Sequence, residues 1–365
     1  MYDMEKIKQH EDLNDNYYHV LNDILKYPDA VIIITYSKRG PGKTYSTLWS
    51  SYYLPVPMIY MKRTNDDVEF ICNESMDLSP YKPVNRDKGI NVKPKLIDKG
   101  MGAFYNMIVN DDGKEIPSGP PVSLLLSLNK IKAIKGMDLS EYDWMCLDEF
   151  IPQPGEIVKY KEGEMLLSLY MTIARDRQKR GREPLKLLLF ANAEEISTPI
   201  TNTLEVVDDM VELNASGKSH LYLEDRKILL HHITEDEIPM TESEKIGIYE
   251  AMRGTAWARK TFEGEFSGND FSCVKKRSLK GYRILYQIKY KDKLSYIYEK
   301  QGMYYWCDAK AKAAACYDLD REPEQKLFMR VALPDLRDAM ITGRMYFEKY
   351  TYYDLVTNYV KIFRL

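Results

Sequence analysis

The chain has 365 residues, 44% of them hydrophobic and 29% charged, which excludes wholesale disorder and collagen-like repetition and is long enough for two packed domains. Its 52 basic and 55 acidic side chains leave a formal charge of −3, so any contact with nucleic acid must come from local patches and not from a polycationic chain. Cys72, Cys146, Cys273, Cys307 and Cys316 are odd in number and lack C-x-x-C spacing, which argues for thiols in a reducing compartment and against a disulfide scaffold or zinc ligands.

The start of the chain is charged and carries no apolar signal core. No apolar run approaches the roughly 18 residues of a membrane span, so neither export nor membrane insertion is expected. From Asp12 to Tyr27, apolar residues at Tyr17, Val20, Leu21, Ile24 and Leu25 share one helical face. Ala30 to Thr35 is a β-branched run without polar alternation, the pattern of a strand covered on both faces in a parallel sheet. Further apolar runs at 57–61, 122–127, 144–147 and 185–191 are separated by stretches read as helical. Strands alternating with helices predict a doubly wound α/β domain over residues 1–213. Residues 214–267 are charged, mixed and glycine-bearing, and are read as a linker. Beyond them, 282–290, 294–299 and 303–307 predict an antiparallel three-strand meander, and two helices, 333–347 and 352–362, close a smaller α+β domain over 268–365.

The first buried run leads into Ser37-Lys38-Arg39-Gly40-Pro41-Gly42-Lys43-Thr44, close to the phosphate-loop pattern G-x-x-x-x-G-K-[ST] with serine in place of the first glycine. Small residues there let successive backbone N–H groups curl around phosphates at a positive helix end. Lys43 is then the point charge on the outer phosphates of ATP, and Thr44 a hydroxyl ligand of Mg2+. Trp144 to Leu147 is a second buried strand, ending in Asp148 and Glu149 at the sheet edge where ligands of open α/β folds sit. Asp148 suits the magnesium side of the site, and Glu149 suits polarising the attacking water. The plain alternatives are a strand-to-helix corner and an acidic helix start. The two motifs in this order favour an ATPase. Asn192, at the end of another apolar strand, could sense the γ-phosphate or simply cap the next helix. The cluster from Arg175 to Arg182 would usually be a solvated helix end, yet it also offers an arginine finger, with Arg175 preferred and Arg177 second. His231-His232 has no Cys or His partner at metal spacing and is read as structural.

Together Ser37 to Thr44, Ile59-Tyr-Met-Lys62-Arg63, Leu147-Asp-Glu-Phe-Ile151, Ala174-Arg-Asp-Arg177 and Phe190-Ala-Asn-Ala193 resemble the phi29-type DNA-packaging ATPases of small tailed bacteriophages, relatives of terminase large subunits. The likeness continues through Val274-Lys-Lys-Arg277 and Gly302 to Asp308, and so covers most of the chain. It implies a P-loop NTPase domain of the ASCE type, a linker and a vestigial RNase H-like domain. It also implies a homopentameric ring at the capsid portal, or connector, that threads double-stranded DNA into the prohead, with packaging RNA as a possible further partner. Such a motor works in the cytoplasm of the infected host and is absent from the mature virion. By position, Lys43 and Thr44 match the Walker A pair, Asp148 and Glu149 the Walker B pair, Arg175 the finger acting in trans, and Lys135 a basic residue near the neighbouring subunit's nucleotide. Lys62 and Arg63 match paired basic residues and are candidates for DNA contact. Pro152 departs from the basic residue expected after Asp-Glu-Phe-Ile.

The resemblance to terminases implies an RNase H-like nuclease after the motor, which needs three or four carboxylates around two metals, the first on the opening strand of the meander. Arg283 to Tyr290 has none, so Asp308, Asp318, Asp320, Asp335 and Asp338 are not expected to support cleavage. Lys275, Lys276 and Arg277, within a basic stretch that includes Arg253, Arg259, Lys260, Lys280 and Arg283, are the candidates for DNA phosphates. The 29 tyrosines are read as packing residues. A nuclease-competent terminase and a non-hydrolysing, nucleotide-switched scaffold protein are the alternative functions.

Overall fold

The computed structural model describes residues 4–9, 15–130, 134, 136–153, 155–239, 246–255, 271–313 and 315–365. The chain divides into two compact units, Met1–Leu204 with Glu212–Ser267, and Glu205–Val211 with Gly268–Leu365.

The first unit is built on a ten-stranded sheet. In chain order its strands are β1 (Ile32–Ser37), β2 (Met58–Lys62), β3 (Val92–Asp98), β4 (Met101–Val109), β5 (Glu115–Pro117), β6 (Ser123–Ser127), β7 (Trp144–Asp148), β8 (Lys186–Asn192), β9 (His220–Leu223) and β10 (Ile228–Ile233). They lie in the order β3-β4-β6-β2-β7-β8-β1-β10-β9, with β5 on β4. From β6 to β10 every pairing is parallel. The residues of β7 are all buried, as are those of β10, which is why these segments read as unbroken apolar runs. All the parallel strands share one carboxyl edge, so Ser37, Lys62, Asp148 and Asn192 emerge on the same side of the sheet. β8 lies between β1 and β7, which sets Asn192 between the end of β1 and the end of β7.

Two expectations are corrected here. The interval between residues 62 and 122 is not only helical: β3, β4 and β5 extend the sheet antiparallel beyond β6. The stretch assigned to a linker, 214–267, gives its first part to the sheet, since β10 pairs in parallel with β1 and β9 antiparallel with β10. His231 and His232 break the apolar pattern of β10 without leaving the interior, because both rings are buried. Residues 240–245 and 256–270 of that stretch lie outside the described residues. Among the described residues no helix is long and apolar enough to cross a membrane.

The second unit carries a five-stranded sheet of β11 (Arg283–Tyr290), β12 (Lys293–Lys300), β13 (Met303–Cys307), β14 (Ala315–Asp318) and β15 (Met345–Phe347) in the order β14-β11-β12-β13-β15. β11, β12 and β13 form the antiparallel meander. β14 returns parallel to β11, and β15 lies parallel to β13. Trp306 is fully buried, stacks on Tyr352 at 5.2 Å and donates its indole N–H to Ser295 Oγ at 2.8 Å. The helix read over 333–347 ends at Ile341. Gly343, at φ +70°, turns the chain into β15, and a further helix, Glu322–Val331, precedes it.

Candidate nucleotide site

At the end of β1 the chain turns through Gly40 (φ +94°) and Gly42 (φ +98°) and opens the helix Lys43–Tyr53. Both φ values lie where a side chain is strained, which accounts for glycine at these two positions. Ser37, by contrast, is still strand, and its serine has a use. The Lys43 ammonium donates to Ser37 Oγ and, at 3.4 Å, to the Lys38 carbonyl. Lys43 is buried, and burial lowers its pKa to about 8 although Asp148 and Glu149 act in the other direction. Its direct partners are neutral oxygens, so the positive charge is available to an anion in the loop.

Opposite the loop, Asp148 ends β7. Its carboxylate accepts from Thr44 Oγ1 at 3.1 Å, Tyr60 OH at 2.6 Å and Lys62 Nζ at 3.3 Å. Burial opposes the charge on Asp148, but the Lys62 ammonium, the two hydroxyl donors and Lys43 hold its carboxyl below the usual range. It stays an anion at neutral pH. The next residue, Glu149, takes φ +58°, the left-handed region that bulky residues avoid. The turn is secured behind it: Phe150 is fully buried and donates its N–H to the Phe190 carbonyl of β8 at 3.0 Å. Glu149 is thereby presented, largely exposed, with Lys62 Nζ 2.6 Å from its carboxylate.

These groups border a cavity of about 320 Å³ lined by the loop from Arg39 to Thr44, Asp148, Glu149 and Asn192. Ser37 and Asn192 are register partners, and Ala193 N–H donates to the Ser37 carbonyl at 3.0 Å, so the end of β8 is tied to the start of the loop. Pro41, Gly42 and Arg39 line the cavity, and Arg39 reaches Gln153 Oε1 at 2.7 Å. Lys38 faces elsewhere, buried and bonded to Glu235 at 2.6 Å. The Thr44 hydroxyl and the Asp148 carboxylate, already in contact, are hard oxygen donors of the kind a magnesium ion takes alongside phosphate, and Lys43 is the uncompensated cation a phosphate needs. The donor set fits a nucleoside polyphosphate with Mg2+.

Two expected roles are not supported by the geometry. Lys62 and Arg63, candidates for DNA contact, are consumed by carboxylates. Burial works against the charge on Lys62, but Asp148 and Glu149 more than offset it and hold the ammonium above its ordinary value. Arg63, only 5% exposed, is bound to Glu162 at 3.0 Å and to Glu156. Arg177, the second choice for a finger, is 1% exposed, and its guanidinium is saturated by the carbonyls of Ser140, Tyr142 and Glu183 and the Asp143 carboxylate. It is a structural arginine. Arg175, two residues earlier, follows the helix Glu162–Ala174 with its side chain 81% exposed and its Nε 3.7 Å from the Asp176 carboxylate. It does not line the nucleotide cavity of its own chain but a second cavity of about 580 Å³ with Asp138, Met171 and Arg180. Lys135 lies outside the described residues.

In the second unit Lys275 and Lys276 are exposed and Arg277 is half-buried. The Arg277 guanidinium lies 3.3 Å from the centre of the Tyr346 ring, and Lys275 Nζ 5.1 Å from it. Asp308 is bonded to Lys349 at 2.5 Å and to Tyr352 OH, and Lys289 sits among Asp292, Asp318 and Asp320 at 3.0 to 3.7 Å.

A largely parallel sheet whose first strand runs through a glycine turn into a helix, with an acidic strand end across one intervening strand, defines the class as a mixed α/β fold. No family model matches the sequence, and no curated protein does. Solved structures do match in fold. The bacteriophage Phi-29 viral genome packaging motor assembly aligns over 96% of this chain and 100% of its own, at 16% identity and a TM-score of 0.63. The Phi-28 gp11 DNA packaging motor aligns over 96% and 99%, at 15% identity and a TM-score of 0.59. The resemblance read from the motifs therefore holds along nearly the whole chain: it is built like the phi29-type packaging ATPases.

Proposed function

We propose that this protein is an ATP-driven translocase that packages double-stranded DNA into a viral prohead, acting as a ring of subunits, five in the family it resembles. The observation that carries the reading is the meeting of Lys43, Thr44, Asp148 and Glu149 around one cavity at the carboxyl edge of the parallel sheet. Two whole-chain neighbours bearing the names of packaging motors support it.

In this reading Lys43 grips the outer phosphates, with the loop N–H groups around them. Thr44 and Asp148 would hold Mg2+, which would supply charge neutralisation to the phosphates. Glu149, held out by its left-handed turn, accepts the proton of the attacking water, and Asn192 orients that water or the γ-phosphate. Arg175 is the finger given in trans: its exposure, and its place on a second cavity and not on its own chain's nucleotide cavity, suit service to a neighbour. Lys135 is assigned by resemblance to the same junction. The motor domain is the first unit, which takes in β9 and β10 beyond residue 213, and the second domain begins at 268. That second domain is an RNase H-like, non-cutting module whose returning strand β14 lies parallel to the first strand of the meander. Its carboxylates Asp308, Asp318 and Asp320 are engaged by lysines, which disfavours a two-metal centre. Lys275, Lys276 and Arg277 contact DNA phosphates. The portal and packaging RNA are the remaining partners, and the site of action is the infected host's cytoplasm at the prohead. A nucleotide switch that never turns over is disfavoured by Glu149, which such a switch does not need.

The test is DNA-stimulated ATPase activity measured against protein concentration. Activity per subunit should rise steeply as subunits assemble, and activity per subunit independent of concentration would argue for a site complete in one chain.

A further inference from the structure

Outside the nucleotide cavity, three titratable side chains meet in the first unit. His220 of β9 and His231 of β10 are antiparallel register partners, so their rings share a face of the sheet, with centroids 3.9 Å apart. Asp23, from the helix Val20–Lys26, faces both: His231 Nδ1 lies 2.8 Å from its Oδ2 and His220 Nε2 3.3 Å from its Oδ1. One ligand atom from each of the three lies within 4.8 Å of the other two. Asp23 and His231 are each 3% exposed and His220 16%. This is the partner that spacing along the chain does not show, because only the pairing of β9 with β10 brings His220 to His231.

The outward atoms of the trio are also held. His231 Nε2 lies 3.0 Å from the Glu237 carboxylate, Ser219 Oγ lies 2.7 Å from His220 Nδ1, and Tyr18 OH donates to Asp23 Oδ2 at 3.0 Å. Such outer partners fix the tautomer and angle of metal-binding imidazoles. The spacing is close to what an ion requires: bonds of about 2.0 to 2.1 Å in a tetrahedral site set neighbouring ligand atoms about 3.4 Å apart. The 3.3 Å contact, on Oδ1, already fits; the 2.8 Å contact, on Oδ2, has to open by about 0.6 Å, and the stacked rings have to turn so that both nitrogens face one ion. Charge points the same way. Two carboxylates, Asp23 and Glu237, stand against the two imidazoles. A divalent ion with two neutral imidazoles and both carboxylates leaves no net charge in the interior.

We propose that Asp23, His220 and His231 bind one divalent cation of zinc's class, with Glu237 behind His231. Two imidazoles and a carboxylate are the donors such an ion prefers. The ion joins the lead-in helix to β9 and β10. The segment entering that helix packs on the phosphate loop, with Tyr18 N–H donating to the Pro41 carbonyl at 2.8 Å and Val20 N–H to Ser46 Oγ at 2.9 Å. Bound cation therefore braces the loop from behind.

The test uses the full chain, stripped with chelator and then held in saturating Mg2+ so that the Thr44 and Asp148 pair is occupied. Co2+ is titrated in, and the intense visible absorption of four-coordinate cobalt is followed. One equivalent should produce it in the wild type, Zn2+ should displace it, and His220→Asn should abolish it. Glu237→Gln should keep the spectrum with affinity about 10-fold or more weaker. His220 is the least buried ligand, so its variant serves even if His231→Asn fails to fold. Absence of the absorption in the wild type, or its survival in His220→Asn, would overturn the proposal in favour of a hydrogen-bonded network without metal.

Discussion

Alanine at Arg177 and alanine at Arg175 should fail in opposite ways. Arg177 donates to the Ser140 carbonyl at 2.6 Å, to the Tyr142 carbonyl, to the Glu183 carbonyl at 3.0 Å and to Asp143 Oδ1 at 2.5 Å. Truncation leaves these buried acceptors short of a donor, at about 1–3 kcal/mol for each group left unsatisfied. Removing one side of a buried ion pair costs about 3–5 kcal/mol in all, although Arg182, 2.9 Å from Asp143, keeps that carboxylate partly paired. A net loss of about 5 kcal/mol is comparable to the whole stability of many domains. For a unit of this size it lowers the thermal midpoint by about 10–20 °C. Arg175→Ala should leave the midpoint unchanged, because the side chain is exposed and nearly unpartnered, while lowering DNA-stimulated turnover by about 10³-fold. Melting curves, nucleotide-binding titrations and ATPase rates on both variants separate the two. If Arg177→Ala melted like the wild type, bound ATP and failed only in turnover, Arg177 would be the finger and the structural assignment wrong.

Glu149→Gln should bind ATP with unchanged affinity and lose turnover by about 10²- to 10⁴-fold, seen as a stable ATP complex in a filter assay; normal hydrolysis would remove Glu149 from its role. Lys43 carries a pH signature. With its folded pKa lowered to about 8, the unfolded chain, near 10.4, binds more protons between those values, so the stability of the nucleotide-free protein should rise with pH across that window. Over the same window ATP affinity should fall, by at most tenfold per pH unit, because the phosphates require the ammonium; affinity flat to pH of about 10 would contradict the burial of Lys43. Gly163 admits no side chain, since a Cβ there would stand 2.2 Å from Thr203 Oγ1 and 2.5 Å from the Pro199 carbonyl, and Gly163→Ala should cost about 1–3 kcal/mol in a urea titration.

Much of the motor half was legible because burial on both faces writes itself locally. β1, β2, β6, β7 and β8 each carry a run of apolar residues, and the glycine turn and the Asp148-Glu149 pair sit directly at strand ends. What escaped the sequence depends on partners distant along the chain. Lys62 and Arg63 look like a basic pair until the fold sets Asp148, Glu149, Glu156 and Glu162 against them. Arg175 and Arg177 are two residues apart in one cluster, yet one is solvent-facing and the other is a core residue, a difference decided by where the Ser140 to Asp143 segment lies. β10 was hidden by its two histidines, which pack against Asp23 and Tyr36 from distant segments and Glu237 just beyond the strand. β15 was hidden inside an apparent helix, because three residues are too few to show a period of two.

The central claim is that a nucleotide held beside Lys43 by one subunit is completed by Arg175 of another. Subunit mixing tests it most directly: Lys43→Ala, which keeps its arginine but cannot hold ATP, is combined with Arg175→Ala, which holds ATP but lacks the finger, and DNA-stimulated ATPase activity is recorded. Each variant alone should be inactive and the mixture should recover a substantial fraction of wild-type turnover; a mixture as inactive as its components, under conditions where mixed assemblies are shown to form, would contradict a site shared between subunits.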